Sequence, residues 1–169
     1  GENLYSRDRL ATVVDAPDQQ YYFLVTPAGE TAGYIYFQTA SLDGMAALSK
    51  LPRERLAVIS AKKDPVIGNL CSIGVVKAYR HHRLSEELVR FYLERLQNDW
   101  NADAAFGVFW KPNGRVPMER TLPAFNFIHL GDSSRVWYDN DDLICPVCEG
   151  RCRCDAAIYY KPIRRETAK

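Results

Sequence analysis

Four cysteines stand within ten residues of one another near the end of the chain, Cys145, Cys148, Cys152 and Cys154, spaced C-x2-C-x3-C-x-C. Thiols this dense are rarely there for packing, and nothing at the start of the sequence reads as a signal peptide that would favour disulfides. The pattern therefore predicts a tetrahedral thiolate site for zinc, with iron or an oxidised pair as the minor readings. Four protein ligands leave no open coordination position, so the ion is expected to be structural. Such a site carries a formal charge of −2, which the interleaved Arg151 and Arg153 are expected to offset. A zinc knuckle meeting phosphates is the weaker alternative for the same arginines.

The second chemical signal is the run Cys71–Leu96, where an apolar strand pattern turns abruptly basic and then becomes an amphipathic helix. Arg80, His81, His82 and Arg83 sit immediately before the helix start. Unpaired backbone N–H groups and the positive end of the helix dipole favour an anion there. On local chemistry alone a basic loop capping a buried strand–helix unit explains the same residues. Glu86 and Glu87 suit a helix start and would repel an anion that they faced.

From Val76 the segment resembles the central motif of the GNAT N-acyltransferase superfamily, V-x-x-x-[QR]-x-x-G-x-[GA]. Arg80 falls on the Gln/Arg position, while Arg83 and Ser85 fall on the two small positions. The resemblance implies that the helix start at Arg80, His81, His82, Arg83, Leu84 and Ser85 holds the pyrophosphate of acetyl-CoA or another acyl-CoA, and that Gly74, Val75 and Val76 hold its pantetheine. It further implies that Asn113, in the loop after the next strand, lies near the pantetheine arm. A first helical turn needs only right-handed dihedrals, so Arg83 is expected to sit there without strain. Asn126-Phe127 stands where the family usually writes Gly-Phe, and Leu122 occupies the place of its usual tyrosine acid. Tyr79, Tyr92, Tyr138 or water must replace that tyrosine, unless the chemistry is lost.

The implied fold is α/β (α+β): a mixed, mostly antiparallel sheet flanked by helices, here with a zinc-tied terminal hairpin. Tyr21–Thr26 and Ala32–Thr39 read as a hairpin across Pro27-Ala28-Gly29, Ser41–Leu51 as a helix capped by Ser41, and Ala104–Lys111 as a strand. Leu10–Asp15 and Leu56–Ser60 also read as strands, and Pro117 as the first residue of a short helix. Arg135–Asp139 and Ala156–Lys161 read as the final two strands, bracketing the cysteines. Leu84, Leu88, Phe91, Tyr92 and Leu96 form the buried stripe of the central helix. Phe106, Val108 and Trp110 are expected to pack within the sheet. The family's first helical pair is expected to be absent, and the charged tail from Arg164 to fray.

The 169 residues, 47% hydrophobic and 25% charged, suit one domain spanning 1–169. A net charge of +1 gives no global pull toward nucleic acid or an anionic membrane, and no apolar run approaches the length of a membrane span. A cytoplasmic enzyme is the expectation, transferring an acyl group from acyl-CoA to a small-molecule or protein amine. The alternatives are a GNAT-like binding module without turnover, or a transferase using a carrier-protein thioester. Asp139, Asp141 and Asp142 form an acidic edge suited to an amine or to a solvated turn. Cys71 reads as a small hydrophobe in a strand and His129 as a residue without a visible partner.

Overall fold

The computed structural model describes residues 7–14, 16–141 and 143–163. Six strands form one sheet in the order β1-β2-β3-β4-β6-β5. They are β1 (Gln19–Val25), β2 (Thr31–Ala40), β3 (Ile67–Val75), β4 (Ala104–Lys111), β5 (Ile128–Ser133) and β6 (Asp155–Pro162). All neighbours pair antiparallel except β3 and β4, which run parallel. The sheet is thus mixed and mostly antiparallel, as the resemblance implies. The β1–β2 turn closes where expected, with Thr26 and Glu30 joined through their main chains and Gly29 at φ 84°.

The parallel β3–β4 pair requires a crossover, supplied by α4 (Leu84–Asn98). Its Leu88, Val89, Tyr92 and Leu96 face Ile35, Phe37 and Leu70 of the sheet, burying one continuous cluster. Phe91 meets Tyr22 edge-on at 4.7 Å, one turn further round. Gly68 makes this approach possible, because a Cβ there would stand 2.2 Å from Leu96. Burial of a side chain such as Leu88 contributes roughly 1.5–3 kcal/mol, which fixes where the start of α4 points.

The opposite sheet face is covered by α2 (Leu42–Ser49) and α3 (Arg53–Leu56), both in the β2–β3 connection. Ser41 caps α2 as expected, accepting from the Gly44 N–H at 3.1 Å. Met45, Leu56 and Ile59 bury against Ile67, Phe106 and Ile158. Among the described residues no helix is long and apolar enough to cross a membrane.

Four sequence-based assignments are corrected. Residues 10–14 of the expected Leu10–Asp15 strand lie in α1 (Arg7–Val14), and Asp15 falls outside the described residues. The β-branched Thr12-Val13-Val14 suggested a strand, but the segment packs beside β1 with Val13 buried. Leu56–Ser60 ends α3 and continues as a 3-10 turn over Ala57–Ile59. Leu56 and Ile59, three apart, both point inward while Val58 is exposed, so the segment follows a helical period. The expected Arg135–Asp139 strand is a turn, with Arg135 at φ 51° and the Tyr138 N–H bonded to its carbonyl. The partner of β6 is instead β5, which Gly131-Asp132-Ser133 disguised as a loop. Finally, residues 117–120 are turns and only Thr121–Ala124 is helical (α5). The tail from Arg164 lies outside the described residues.

Candidate active site and metal centre

The parallel pairing of β3 with β4 lasts four residues, from Ile67 opposite Ala104 to Leu70 opposite Gly107. Beyond that point β3 continues to Val75 against β2 alone, and β4 continues to Lys111 against β6 alone. The sheet therefore opens into a cleft between residues 71–75 and 108–111. A bulge sets the opening: Tyr36 pairs with Ser72 and Phe37 with Leu70, which makes Cys71 the extra residue of β3. Bulges twist a strand away from its neighbour and expose main-chain groups. Gly74 and Val75 belong to the stretch of β3 that pairs with β2 alone, and the Val76 N–H is tied to the Ala32 carbonyl at 2.9 Å.

The basic turn follows directly. Lys77–Tyr79 form a 3-10 turn, and the Arg80 Nε donates to the Val75 carbonyl at 3.2 Å, folding that guanidinium back over the end of β3. His82 Nδ1 lies 2.9 Å from the Arg80 carbonyl. His81, His82 and Arg83 are exposed, while Leu84 and Ser85 are half-buried in the first turn of α4. Arg83 is the N-cap and lies at φ 58°, ψ 19°. The expectation of right-handed dihedrals there is corrected: the position is left-handed, as is His81 at φ 68°. For a residue with a Cβ this conformation costs roughly 1–2 kcal/mol, which gives a physical reason for glycine at this point of the motif. The Arg83 carbonyl accepts from the Glu86 and Glu87 N–H groups, leaving those of Leu84 and Ser85 outside the helical ladder. Beside this turn, a cavity of about 480 Å³ lies between α4 and α5, lined by Glu86, Arg90, Phe125 and Lys161.

Asn113 is placed at the end of β4 in a left-handed turn, φ 51°. There it lines a second cavity, of about 270 Å³, with Lys111, Cys148, Arg153 and Cys154. Leu122 is fully buried under the sheet. The three tyrosines considered as substitutes for a phenol at 122 are all engaged elsewhere. Tyr92 is fully buried and donates to the Gly68 carbonyl at 2.6 Å, and burial pushes its pKa well above the usual phenol value. Tyr79 is hydrogen-bonded to the Glu30 carboxylate, and Tyr138 lies under the guanidinium groups of Arg135 and Arg151.

His129 does have partners. Its Nε2 is 2.9 Å from Asp132 and its ring 5.0 Å from that of Tyr159. Asp132 also pairs with Lys111 across the strands. The Lys111 bond, with that of His129, holds the Asp132 carboxyl below its ordinary pKa of 3.8 despite partial desolvation. The acidic edge is likewise consumed by ion pairs. Asp139 meets Lys50 at 3.1 Å and Asp141 meets Arg151, while Asp142 lies outside the described residues.

The cysteines lie in the β5–β6 connection, as the hairpin reading requires. The sulfurs of Cys145, Cys148 and Cys154 lie within 4.8 Å of one another, with 3.9 Å between Cys145 and Cys154 and 3.6 Å between Cys148 and Cys154. A tetrahedron with metal–sulfur bonds of about 2.3 Å has edges of roughly 3.8 Å, so these separations match a thiolate cage. Cys152, the fourth expected ligand, is buried beside them but is not among the three whose sulfurs lie mutually within 4.8 Å. The loop turns around Cys145, whose main chain bonds those of Glu149 and Gly150 at 2.9 Å. Burial would raise the Cys145 thiol, but main-chain bonds from Cys148 and Val147 bring it below the ordinary value. Burial pushes Cys154 up to about 12 in the thiol cluster, although Trp110 on β4 hydrogen-bonds its sulfur. The Arg153 N–H points at Cys148 Sγ, 3.4 Å away. Donors aimed at sulfur are what a cluster of thiolates needs, so Cys145, Cys148 and Cys154 as they stand suit three ligands of a metal ion. Arg151, expected to offset the ion's charge, is turned instead toward Asp141 and Tyr138.

Sequence comparison finds no matching family model and no matching curated relative. Solved structures do match. Arabidopsis thaliana NAA60 in complex with a bisubstrate analogue superposes with a TM-score of 0.67 at 15% identity, over 94% of this chain and 83% of that one. The ribosomal-protein-S18-alanine N-acetyltransferase from Escherichia coli gives 0.61 at 14% identity, over 98% and 83%. An acetyltransferase of the GNAT family from Streptococcus pneumoniae gives 0.61 at 16% identity, over 95% and 79%. The chain has the GNAT fold.

Proposed function

We propose that residues 1–169 form a single acyltransferase domain that moves an acetyl or other acyl group from acyl-CoA to an amine. The observation that carries this reading is the parallel β3–β4 pair that splays after Leu70 and leads straight into the basic start of α4. In the reading, the extended backbone of Gly74, Val75 and Val76 bonds the amides of the pantetheine as an added strand would. Arg80, His81, His82, Arg83 and the N–H groups of Leu84 and Ser85 take the pyrophosphate. The cavity between α4 and α5 gives room for the adenosine end. A neutral amine then attacks the thioester carbon at the mouth of the cleft, its approach fixed by the two strands. Solved neighbours support the donor: one NAA60 structure holds acetyl-CoA, and the NatC complex is bound to a Gag peptide and CoA.

The four cysteines hold a structural zinc in this reading, closing the β5–β6 loop without touching the reaction. A thiolate site of this kind belongs in a reducing compartment, in keeping with a cytoplasmic protein. A second reading, a GNAT fold that binds without turnover, is favoured by two observations: Arg83 in a left-handed position suited to glycine, and Leu122 buried where a phenol is usual.

Calorimetric titration of acetyl-CoA into the metal-replete protein tests the acyl-CoA reading, and thiol release with a panel of amines separates transfer from binding without turnover. Micromolar binding, weakened at least tenfold in the R80A/R83A double variant without loss of folding, is the expected result. Absence of binding at millimolar acetyl-CoA would overturn the acyl-CoA reading and leave a carrier-linked donor or a binding module.

A further inference from the structure

The proposed transfer needs a group that moves protons at the thioester, and neither position 122 nor the three tyrosines considered from the sequence provides one. The structure places a different phenol at the cleft. Tyr34 on β2 stands opposite Gly74 on β3, and its ring lies across that glycine. A Cβ at position 74 would stand 2.5 Å from Tyr34 Cε1, so the absence of a side chain is what lets the ring settle there. Tyr21 stacks parallel to the ring, with centroids 5.5 Å apart and planes 4° from parallel. The hydroxyl reaches Ser72 Oγ at 3.0 Å.

Ser72 is the second residue past Leu70, where β3 loses contact with β4, and it follows the bulge at Cys71. The hydroxyl pair therefore stands at the apex of the opening, with both residues half-exposed. Its neighbours on the same face are less suited. Tyr36 is buried and committed to Gln19 and Gln38 at 2.6 and 3.2 Å, and Tyr21 lies one strand further out.

We infer that Tyr34 is the proton-carrying catalytic residue of the cleft, positioned by Gly74 and Ser72; the inference rests on the acyl-CoA reading above. The amine lone pair forms a bond to the thioester carbon, and the carbon–sulfur bond breaks with its electron pair on sulfur. The Tyr34 hydroxyl gives its proton to that sulfur, releasing the thiol. The resulting phenolate takes a proton from the cationic nitrogen, leaving the neutral amide and the tyrosine as it began. While the phenolate exists, the Ser72 O–H donates to it. No outside oxidant, reductant or metal enters.

The test follows thiol release from acetyl-CoA with a panel of primary amines, alongside calorimetric acetyl-CoA binding. Y34F keeps the ring against Tyr21 and Gly74 and removes only the hydroxyl. It is expected to lower kcat by about 100-fold or more, with KM for the amine and affinity for acetyl-CoA within threefold of the unsubstituted protein. S72A should lower kcat by about tenfold with the same split, and G74A, which displaces the ring, should lower kcat as far as Y34F. A Y34F or S72A protein that binds acetyl-CoA and keeps kcat within threefold would overturn the assignment. An unsubstituted protein that binds acetyl-CoA but turns over none of the amines would instead overturn the transferase reading on which it rests.

Discussion

Arg83 and Leu122 carry the two departures from the GNAT pattern, and they differ in kind. Arg83 pays a conformational cost for a left-handed φ, yet its side chain is exposed and its carbonyl still receives two helix N–H groups. Leu122 is fully buried and belongs to the main core cluster. Restoring a tyrosine there would overpack the site rather than rebuild a catalytic group. L122Y is expected to destabilise the protein by roughly 1–3 kcal/mol, read as a lowered urea midpoint, with no gain in thiol release. A stable and faster variant would show that the position still faces the cleft.

Among the elements, the β5–β6 hairpin is the one whose parts were most redistributed by folding. Trp137 and Tyr138 have strong strand propensity, but Lys50 at the end of α2 binds the Arg135 carbonyl and Asp139 and holds the segment as a turn. The true strand, β5, is tied to β4 by the Asp132–Lys111 pair and to β6 by its ladder and the packing of His129 on Tyr159. Because Asp132 has a lowered pKa in the folded chain, its contribution is complete above about pH 5, past the ordinary value of 3.8, and is lost as pH falls through the lower folded value. D132N should therefore have a lower thermal midpoint than the unsubstituted protein near neutral pH, with the gap closing as the pH approaches about 2. A gap that persists in acid would assign the effect to packing.

At the scale of the molecule, two apolar clusters on opposite sheet faces carry the fold, and the loop from Ser134 to Cys154 lies largely outside both, with Cys145 and Cys152 buried within the loop itself. Metal analysis of protein purified without added metal should find one zinc per chain; less than about half an equivalent with intact thiols would exclude the site. Chelation is expected to lower the thermal midpoint while acetyl-CoA affinity stays within threefold, since the cleft and the start of α4 are built by the core. Loss of binding on chelation would tie the loop to the donor site. The sequence alone determined what depends on near neighbours: the cysteine spacing, the period of α4, the Ser41 cap, the β1–β2 turn and the basic helix start. Spacing and period survive folding because they are local properties of the chain. Only the tertiary structure decided what depends on strands meeting: the splay after Leu70, the left-handed φ of Arg83, the choice of β5 over Arg135–Asp139, and the laying of Tyr34 across Gly74 beside Ser72. Tyr34 and Ser72 are 38 residues apart and share no motif, so nothing but the β2–β3 register brings their hydroxyls together.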